Sequence, residues 1–170
     1  MKDLDNTLQE LGITMEMVKS CRMPVCDEAS ILVDAGEDMF GRPQKRTVST
    51  CKSWQVMRQA AAADGVELKL VSAFRSIDYQ CDVIRGKLDE GRTIEDILSV
   101  NAIPGHSEHH TGRALDLHTG NGNPLAEDFD QTDAFNWLIS NANKFRFQMS
   151  YPRNNAEGIT YEPWHWCCHA

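Results

Sequence analysis

The histidines of this 170-residue chain concentrate toward its C-terminal end, close to acidic residues. The first 105 residues contain none. Four lie at positions 106, 109, 110 and 118, and two more lie at positions 165 and 169. Imidazole and carboxylate groups are the usual ligands of a catalytic zinc ion, which takes three of them and one water. The pattern therefore indicates candidate metal ligands in two segments, without deciding which three bind.

The first segment, residues 105–118, pairs a candidate histidine with a candidate carboxylate, His109 and Asp116. Gly112 lies between them and permits a tight turn. A strand that follows the turn would aim Asp116 back toward His109. The roles of His110 and His118 stay open, and a surface position or a supporting contact is favoured over metal ligation for each.

The second segment, residues 161–166, contributes Glu162 and His165. In a regular strand, residues three apart face opposite sides. Pro163 disfavours a regular ladder, so a local bend would let both side chains point into one site. The chain contains no HExxH motif, which excludes the helical zinc site of thermolysin-type peptidases.

Three motifs in a fixed order carry a resemblance to a known family. Residues 72–76 read SAFRS, residues 107–116 read SEHHTGRALD and residues 162–165 read EPWH, with Gln80 after the first of them. Together they resemble the zinc D-alanyl-D-alanine carboxypeptidase and dipeptidase family, which includes the vancomycin-resistance enzymes and belongs to the LAS peptidases.

The resemblance covers residues 48–168 and departs from the family at three positions. Ala73 and Phe74 are conservative replacements within the family's S-G-Y-R-S motif, and they leave the arginine in place. Ser150 stands where many relatives have a basic residue before Tyr-Pro. This third departure bears on substrate detail rather than on the metal site.

The resemblance implies a role for each matched residue. One zinc ion per chain would be held by His109, Asp116 and His165, with a water in the open position whose pKa falls to about 7. Glu162 would be the general base that takes a proton from this water and returns it to the leaving amine. Arg75 would stabilise the oxyanion or bind a substrate carboxylate.

Three further residues would contact the substrate. Ser107 and Gln80 would offer neutral hydrogen bonds to its dipeptide end, and Trp164 is expected to line the pocket beside Trp166. The implied substrate is a peptidoglycan peptide or a precursor that ends in D-Ala-D-Ala, from which a C-terminal D-amino acid is removed.

Several activities stay open as alternatives. Within the same fold they are an L,D-carboxypeptidase, a D-Ala-D-Ala dipeptidase and a lysin-type endopeptidase. A non-catalytic, zinc-retaining module that binds cell-wall peptides is the alternative from another class, and Glu162 argues against it because a dead site is expected to lose its base. A structural zinc protein held by cysteines would need paired CxxC motifs, which are missing.

The composition excludes some partners. Seventeen basic residues against 25 acidic ones give a net charge of −8, which argues against a nucleic-acid binder. The sequence shows no apolar run long enough for a membrane span and no secretory signal. It therefore predicts a cytoplasmic protein as written, or a periplasmic or cell-wall protein if a signal was removed or export takes another route. The oligomeric state is not predicted.

Six cysteines lie at positions 21, 26, 51, 81, 167 and 168. Disulfide frameworks belong mainly to small secreted domains with weak cores, and neither condition holds for this sequence. Reduced, partly buried thiols are the favoured interpretation.

Hydrophobic periodicity and capping residues predict the elements that position these groups. The predicted helices span residues 3–20, with a break near Gly12, residues 50–63, a segment after Ser76, residues 93–99 and a segment after Thr132. The predicted strands span residues 66–72, 113–118, 147–151 and 161–167, and residues 22–47 and 101–112 are expected to be irregular.

Helices that mostly precede strands are typical of the α+β class. We expect a small central antiparallel sheet flanked by helices, as in the LAS-type peptidase fold, within a single zinc peptidase domain over residues 1–170. Residues 1–47 would form an N-terminal helical and irregular segment, and residues 48–168 the catalytic core.

Overall fold

A four-stranded antiparallel sheet and a separate two-stranded hairpin are the β-structure of the computed structural model, which describes residues 4–169. The strands are β1 Val33–Glu37, β2 Pro43–Arg46, β3 Lys69–Ser72, β4 Ala114–His118, β5 Phe147–Met149 and β6 His165–Cys168. The helices are α1 Leu4–Glu10, α2 Met15–Ser20, α3 Val48–Ala63, α4 Ile77–Asp89, α5 Ile94–Ser99 and α6 Asp133–Asn141. Short 3-10 helices span Glu108–Thr111, Glu127–Gln131 and Ala142–Phe145. This arrangement confirms the predicted α+β class.

The register of the main sheet brings the two candidate ligand segments together. Its strand order is β3-β4-β6-β5. Asp116 on β4 lies opposite Ser72 on β3 and opposite His165 on β6. All five residues of β4 are buried, so this central strand is covered on both faces. Its alternation places Leu115 and Leu117 in the hydrophobic core and Asp116 on the opposite face.

The main hydrophobic core lies between one face of the sheet and two helices. Helix α3 contributes Trp54, Met57 and Ala61, which are buried at helical spacing as predicted. Helix α6 contributes Leu138, whereas the neighbouring Ile139 is 55% exposed. A single apolar stripe is enough for α6 because only one of its faces meets the sheet.

A second hydrophobic cluster, separate from the main core, packs against helix α4. Cys81 and Ile84 of α4 are buried there against α1, α2 and α5. The break near Gly12 and the restart after Thr14 that the sequence predicts are both confirmed, and residue 3 lies outside the described residues. The N-terminal helices therefore pack against the helix that carries Gln80.

The hairpin β1–β2 corrects the prediction that residues 22–47 are irregular throughout. The carboxylate of Asp38 accepts hydrogen bonds from the backbone N–H groups of Phe40 and Arg42 and from the side chain of Gln44. The turn residues of this segment thus connect two short strands rather than interrupt structure.

Two predicted strands begin later than expected. The strand predicted over residues 66–72 begins at Lys69, and the one predicted over residues 161–167 begins at His165. The backbone N–H of His165 donates to the carbonyl of Glu162, which closes a turn around Pro163. The bend predicted at this proline is therefore confirmed.

The structure shows the state of the cysteines and the length of the helices. All six cysteines, which lie within residues 4–169, are free thiols, and four of them are buried. Among the same residues, the helices are too short and too polar for any of them to cross a bilayer.

Gly112 is the glycine whose replacement we expect to disturb the site most, because it ends the 3-10 helix with φ +65° and an added Cβ would lie 2.7 Å from Leu32 Cδ2. Gly122 has a similar φ of +86° with no atom within 4 Å of an added Cβ. In both variants the new alanine would have to adopt a positive φ, which lowers the free energy of unfolding by about 1–2 kcal/mol. We expect Gly112→Ala to lose about 1–3 kcal/mol more through overpacking. Urea denaturation of both variants measures the difference, and equal losses of unfolding free energy would contradict it.

Candidate metal centre

Three buried side chains from neighbouring strands and the preceding turn converge on one point. The ligating atoms of His109, Asp116 and His165 all lie within 4.8 Å of one another. His109 Nε2 lies 3.2 Å from Asp116 Oδ2, and His165 Nδ1 lies 3.1 Å from Asp116 Oδ1. The structure therefore brings together the three residues that the resemblance implies as metal ligands, and they form a group that can hold a metal ion.

Each histidine is oriented by a hydrogen bond on the side away from this point. His109 Nδ1 donates to the carbonyl of Ala73 at 2.6 Å. His165 Nε2 donates to the Glu108 carboxylate at 2.9 Å. Because these outer nitrogens carry protons, the neutral rings present the lone pairs of His109 Nε2 and His165 Nδ1 to a metal ion. This second layer of hydrogen bonds is typical of metal-binding histidines.

The electrostatics of the cluster favour a cation at its centre. Burial would raise the pKa of the Asp116 carboxyl, but the charges and hydrogen bonds of His109 and His165 hold that pKa well below its usual range. Burial would lower the pKa of His165, but the carboxylates of Asp116, Glu108 and Glu162 raise it to about 10. A protonated His165 thus supplies the positive charge that a metal ion would bring, and the donor set of two imidazoles and one carboxylate fits zinc.

Glu162 lies at the edge of this cluster without belonging to it. Its Oε2 is 3.7 Å from His165 Nδ1, at the start of the turn that Pro163 enforces. Burial raises the pKa of Glu162 to about 7, with a further rise from the charge of Asp116 that His165 and Arg75 oppose. A carboxyl group near neutral pKa at a polar cluster is a candidate general base.

Arg75 lies just before helix α4 and is held there by backbone and side-chain contacts. Its Nη1 donates to Gln80 Oε1 at 2.9 Å, and its backbone N–H donates to the carbonyl of His109. His110, which is fully buried, donates from Nδ1 to the Arg75 carbonyl. Among residues 4–169, Arg75 makes no ion pair with an acidic group, so its charge is available to a ligand.

The remaining sequence-predicted residues line the same cavity, whose volume is about 390 Å³. Ser107 caps the 3-10 helix by accepting from the backbone N–H of His109, and Gln80 Nε2 donates to the Ala102 carbonyl. Trp164 lines the cavity, whereas Trp166 packs in the hydrophobic core. Pockets of this size suit small ligands and peptide ends.

Glu108 and Tyr151 are site residues that the sequence reasoning missed. Burial opposes ionisation of Glu108, but hydrogen bonds from His165 and Ser150 lower its pKa to about 2. The Tyr151 ring lies 4.7 Å from the ring of His165 and lines the cavity. Glu108 could have been singled out by its place in the motif beside His109, but nothing local in the sequence shows that it reaches His165.

Two other residues have contacts that the sequence left open. Ser150 donates to Glu108 Oε2 at 2.6 Å, so this departure from the family pattern lies behind a candidate metal ligand. His118 is buried, accepts from the backbone N–H of Gly120 and stacks on Phe129 outside the candidate site. His110 and His118 are therefore both buried rather than at the surface, and neither belongs to the candidate ligand group of the described residues.

Comparisons with known proteins agree with this geometry. Residues 44–170 match the family model VanY, described as D-alanyl-D-alanine carboxypeptidase. The protein YodJ of Bacillus subtilis (strain 168), named as a carboxypeptidase, is 37% identical over 131 residues, which are 72% of this chain and 46% of that protein. A D-alanyl-D-alanine carboxypeptidase of Enterococcus faecalis (strain ATCC 700802 / V583) is 28% identical over 66% of this chain and 44% of its own length. The chain thus spans less than half the length of these curated relatives.

Several solved structures share this fold. The LD-carboxypeptidase LdcB superposes with a TM-score of 0.74 at 33% identity, over 85% of this chain and 71% of that one. VanYB in complex with D-alanine-D-alanine gives a TM-score of 0.66 at 25% identity, over 89% and 83% of the two chains. The D,D-pentapeptidase VanY from a VanB-type resistance cassette, in complex with Zn(II), gives 0.65 at 25% identity over 86% and 82%.

The hydrogen bond from His165 to Glu108 predicts that Glu108 sets metal affinity. Glu108→Ala removes the acceptor that fixes the His165 proton on Nε2, and we expect about 10–100-fold weaker zinc binding. Glu108→Gln keeps a neutral acceptor and should lose less. Competition with a chromophoric chelator, starting from metal-free protein, measures both constants.

Two reference variants make this result specific. Glu67→Ala removes an exposed carboxylate that forms an ion pair with Lys69 and not with a candidate metal ligand. This variant should bind zinc like the parent protein. His165→Ala should lose zinc altogether. Wild-type affinity in Glu108→Ala would refute the positioning role of this carboxylate.

Proposed function

The chain belongs to the D-alanyl-D-alanine carboxypeptidase family VanY, and on this basis we propose that it is a zinc-dependent carboxypeptidase that removes a C-terminal D-amino acid, foremost D-alanine, from peptidoglycan peptides. One observation carries the proposal. The His109–Asp116–His165 cluster shares a cavity with Glu162 and with Arg75, whose charge no acidic side chain of the described residues neutralises. These are the groups that hydrolysis of a peptide with a free C-terminus requires.

The residues that would hold zinc are His109 through Nε2, Asp116 through its carboxylate and His165 through Nδ1. When bound, zinc lowers the pKa of a water to about 7 and polarises the scissile carbonyl. The three residues bring one negative charge to the site if both histidines are neutral, so a divalent ion leaves it with a net positive charge.

Glu162 would carry the proton in this reaction. Its carboxylate accepts a proton from the attacking water at Oε1 or Oε2, and the water oxygen forms the new bond to the carbonyl carbon. When the peptide C–N bond breaks, Glu162 returns the proton to the leaving nitrogen, so a shortened peptide acid and a free D-amino acid result. Its position beside the cluster and its burial suit this transfer.

Arg75 would bind the terminal carboxylate of the substrate or the oxyanion that forms during attack. The bonds to Gln80 and to His109 hold it at the cavity wall, and a guanidinium can offer paired N–H groups to a carboxylate. Trp164 and Ser107 line the same cavity and would contact the terminal residue.

An L,D-carboxypeptidase activity is the second candidate. The observation that favours it is the likeness to LdcB, which is described as an LD-carboxypeptidase and superposes with a higher TM-score than VanYB. Incubating zinc-loaded protein with a pentapeptide ending in D-Ala-D-Ala and with the tetrapeptide lacking its last residue distinguishes the two by mass spectrometry. Hydrolysis of neither peptide would overturn the proposal.

Replacing Glu162 tests the assignment of the base. We expect Glu162→Gln to keep zinc and its melting temperature, while kcat falls by about 10²–10⁴-fold because proton transfer is lost. Metal analysis and steady-state kinetics on the preferred peptide measure both quantities. Loss of zinc from this variant would instead make Glu162 a ligand.

Replacing Arg75 by lysine tests what the guanidinium recognises. If it binds the terminal carboxylate, the parent protein should prefer a peptide with a free C-terminus over its amide, and Arg75→Lys should lose that preference. If it stabilises the oxyanion, both substrates should slow alike, by about 2–4 kcal/mol in barrier. Unchanged kinetics on both substrates would return Arg75 to a structural role.

A further inference from the structure

The cavity carries two cations for which the family motifs assign no role, Lys87 and Arg92. Both line it together with Arg75. Within residues 4–169, none of the three forms an ion pair with a carboxylate, although the chain as a whole has an excess of acidic residues. Neighbouring like charges that make no ion pair repel one another, and an anionic ligand would offset that repulsion.

Lys87 is fixed in place rather than free in solvent. Its Nζ donates to Asn101 Oδ1 at 3.1 Å, and Asn101 Nδ2 in turn donates to the Ile97 carbonyl at 2.9 Å. Burial lowers the pKa of Lys87, and the charges of Arg92 and Arg75 lower it further, against smaller opposing effects of Glu90 and Glu162. The ammonium group is thus partly desolvated and crowded by other cations, as is common at binding sites.

Arg92 reaches the same region because the chain reverses after α4. Gly91 adopts φ +87°, and the backbone N–H of Arg92 donates to the Lys87 carbonyl at 3.2 Å. The side chain donates to the carbonyl of Asp96 at 3.4 Å. Arg92 thus lines the same cavity as Lys87, with N–H groups beyond the one that this bond uses.

Lys87 lies on the same helix as Gln80, the residue that accepts a hydrogen bond from Arg75, so the separation of the two along α4 can be worked out. Gln80 and Lys87 are seven residues apart, so they lie on one stripe of the helix two turns apart. The rise along the axis is then about 10 Å, which is the reach of about three residues of extended peptide.

We propose that Lys87 and Arg92 form a subsite for a second acidic group of the substrate, carried two or three residues before its terminal carboxylate. The subsite rests on the proposed function, because Arg75 holds the terminal carboxylate and the peptide can continue only upstream from it. The ligand is therefore an oligopeptide with two carboxylates about 10 Å apart rather than a neutral peptide.

Matched peptides test this subsite. Two acetylated pentapeptides ending in D-Ala-D-Ala carry glutamate or glutamine as the third residue from the C-terminus, and a second pair carries the exchange at the fourth. With zinc-loaded protein, we expect kcat/KM to be about tenfold or more higher for the acidic member of at least one pair, chiefly through KM. Lys87→Gln and Arg92→Gln should abolish the preference and leave the glutamine peptides and the melting temperature little changed.

Arg85→Gln is the matched control, because Arg85 lies on the opposite side of α4 and pairs with Asp82. This variant should keep the full preference. No preference in either pair for the parent protein, or an undiminished preference in Lys87→Gln, would overturn the subsite.

Calorimetry separates failure of the subsite from failure of the proposed activity. The same peptides are titrated into zinc-loaded Glu162→Gln protein, in which hydrolysis is slow. If no peptide is hydrolysed by the parent protein but the acidic member still binds more tightly and loses this advantage in the Lys87→Gln background, the activity is wrong and the subsite stands. Hydrolysis with equal affinity within both pairs would mean that the activity stands and the subsite is wrong.

Discussion

A cation between two buried imidazoles and one buried carboxylate is the interaction on which the rest of the site depends. His109 Nε2 and His165 Nδ1 lie 3.1–3.2 Å from the oxygens of Asp116. Without positive charge these electron-rich atoms would repel one another in a medium of low dielectric. In the metal-free protein, a second proton on His165 fills this role, because the carboxylates of Asp116, Glu108 and Glu162 raise the pKa of this histidine to about 10.

The backbone around the cluster is arranged so that each ligand has one orientation. The register of β4 against β6 sets Asp116 beside His165, and the Ala73 carbonyl at the end of β3 receives the outer proton of His109. The turn at Gly112 leads the chain from the 3-10 helix into β4 with a positive φ, and an added Cβ would crowd Leu32 there. A metal site with preset ligands loses little conformational entropy on binding, so these remote contacts add to the affinity that the ligands themselves supply.

The approach of Asp116 to His109 was easier to predict from the sequence than the contacts around them, and the difference has a physical origin. His109 and Asp116 are seven residues apart across one turn, so their approach is set locally and can be predicted from spacing. Glu108 contacts His165 across 57 residues of chain, and this pairing depends on how β4 and β6 align. Likewise, the glycines and proline of residues 33–46 indicated turns correctly, but they could not show that the short segments beside them pair as strands.

The cavity combines a candidate metal site with several cations. Two histidines and Asp116 converge at one point, and Arg75, Lys87 and Arg92 line the same cavity. Ser150 supports the candidate metal site, since it donates to the carboxylate that orients His165. A basic residue at this position, as many relatives carry, would compete with His165 for Glu108 and weaken the pull on the histidine proton, leaving Nδ1 a poorer metal ligand. The neutral hydroxyl of Ser150 donates a hydrogen bond to the Glu108 carboxylate without cancelling its negative charge. That charge therefore continues to act on the proton of His165.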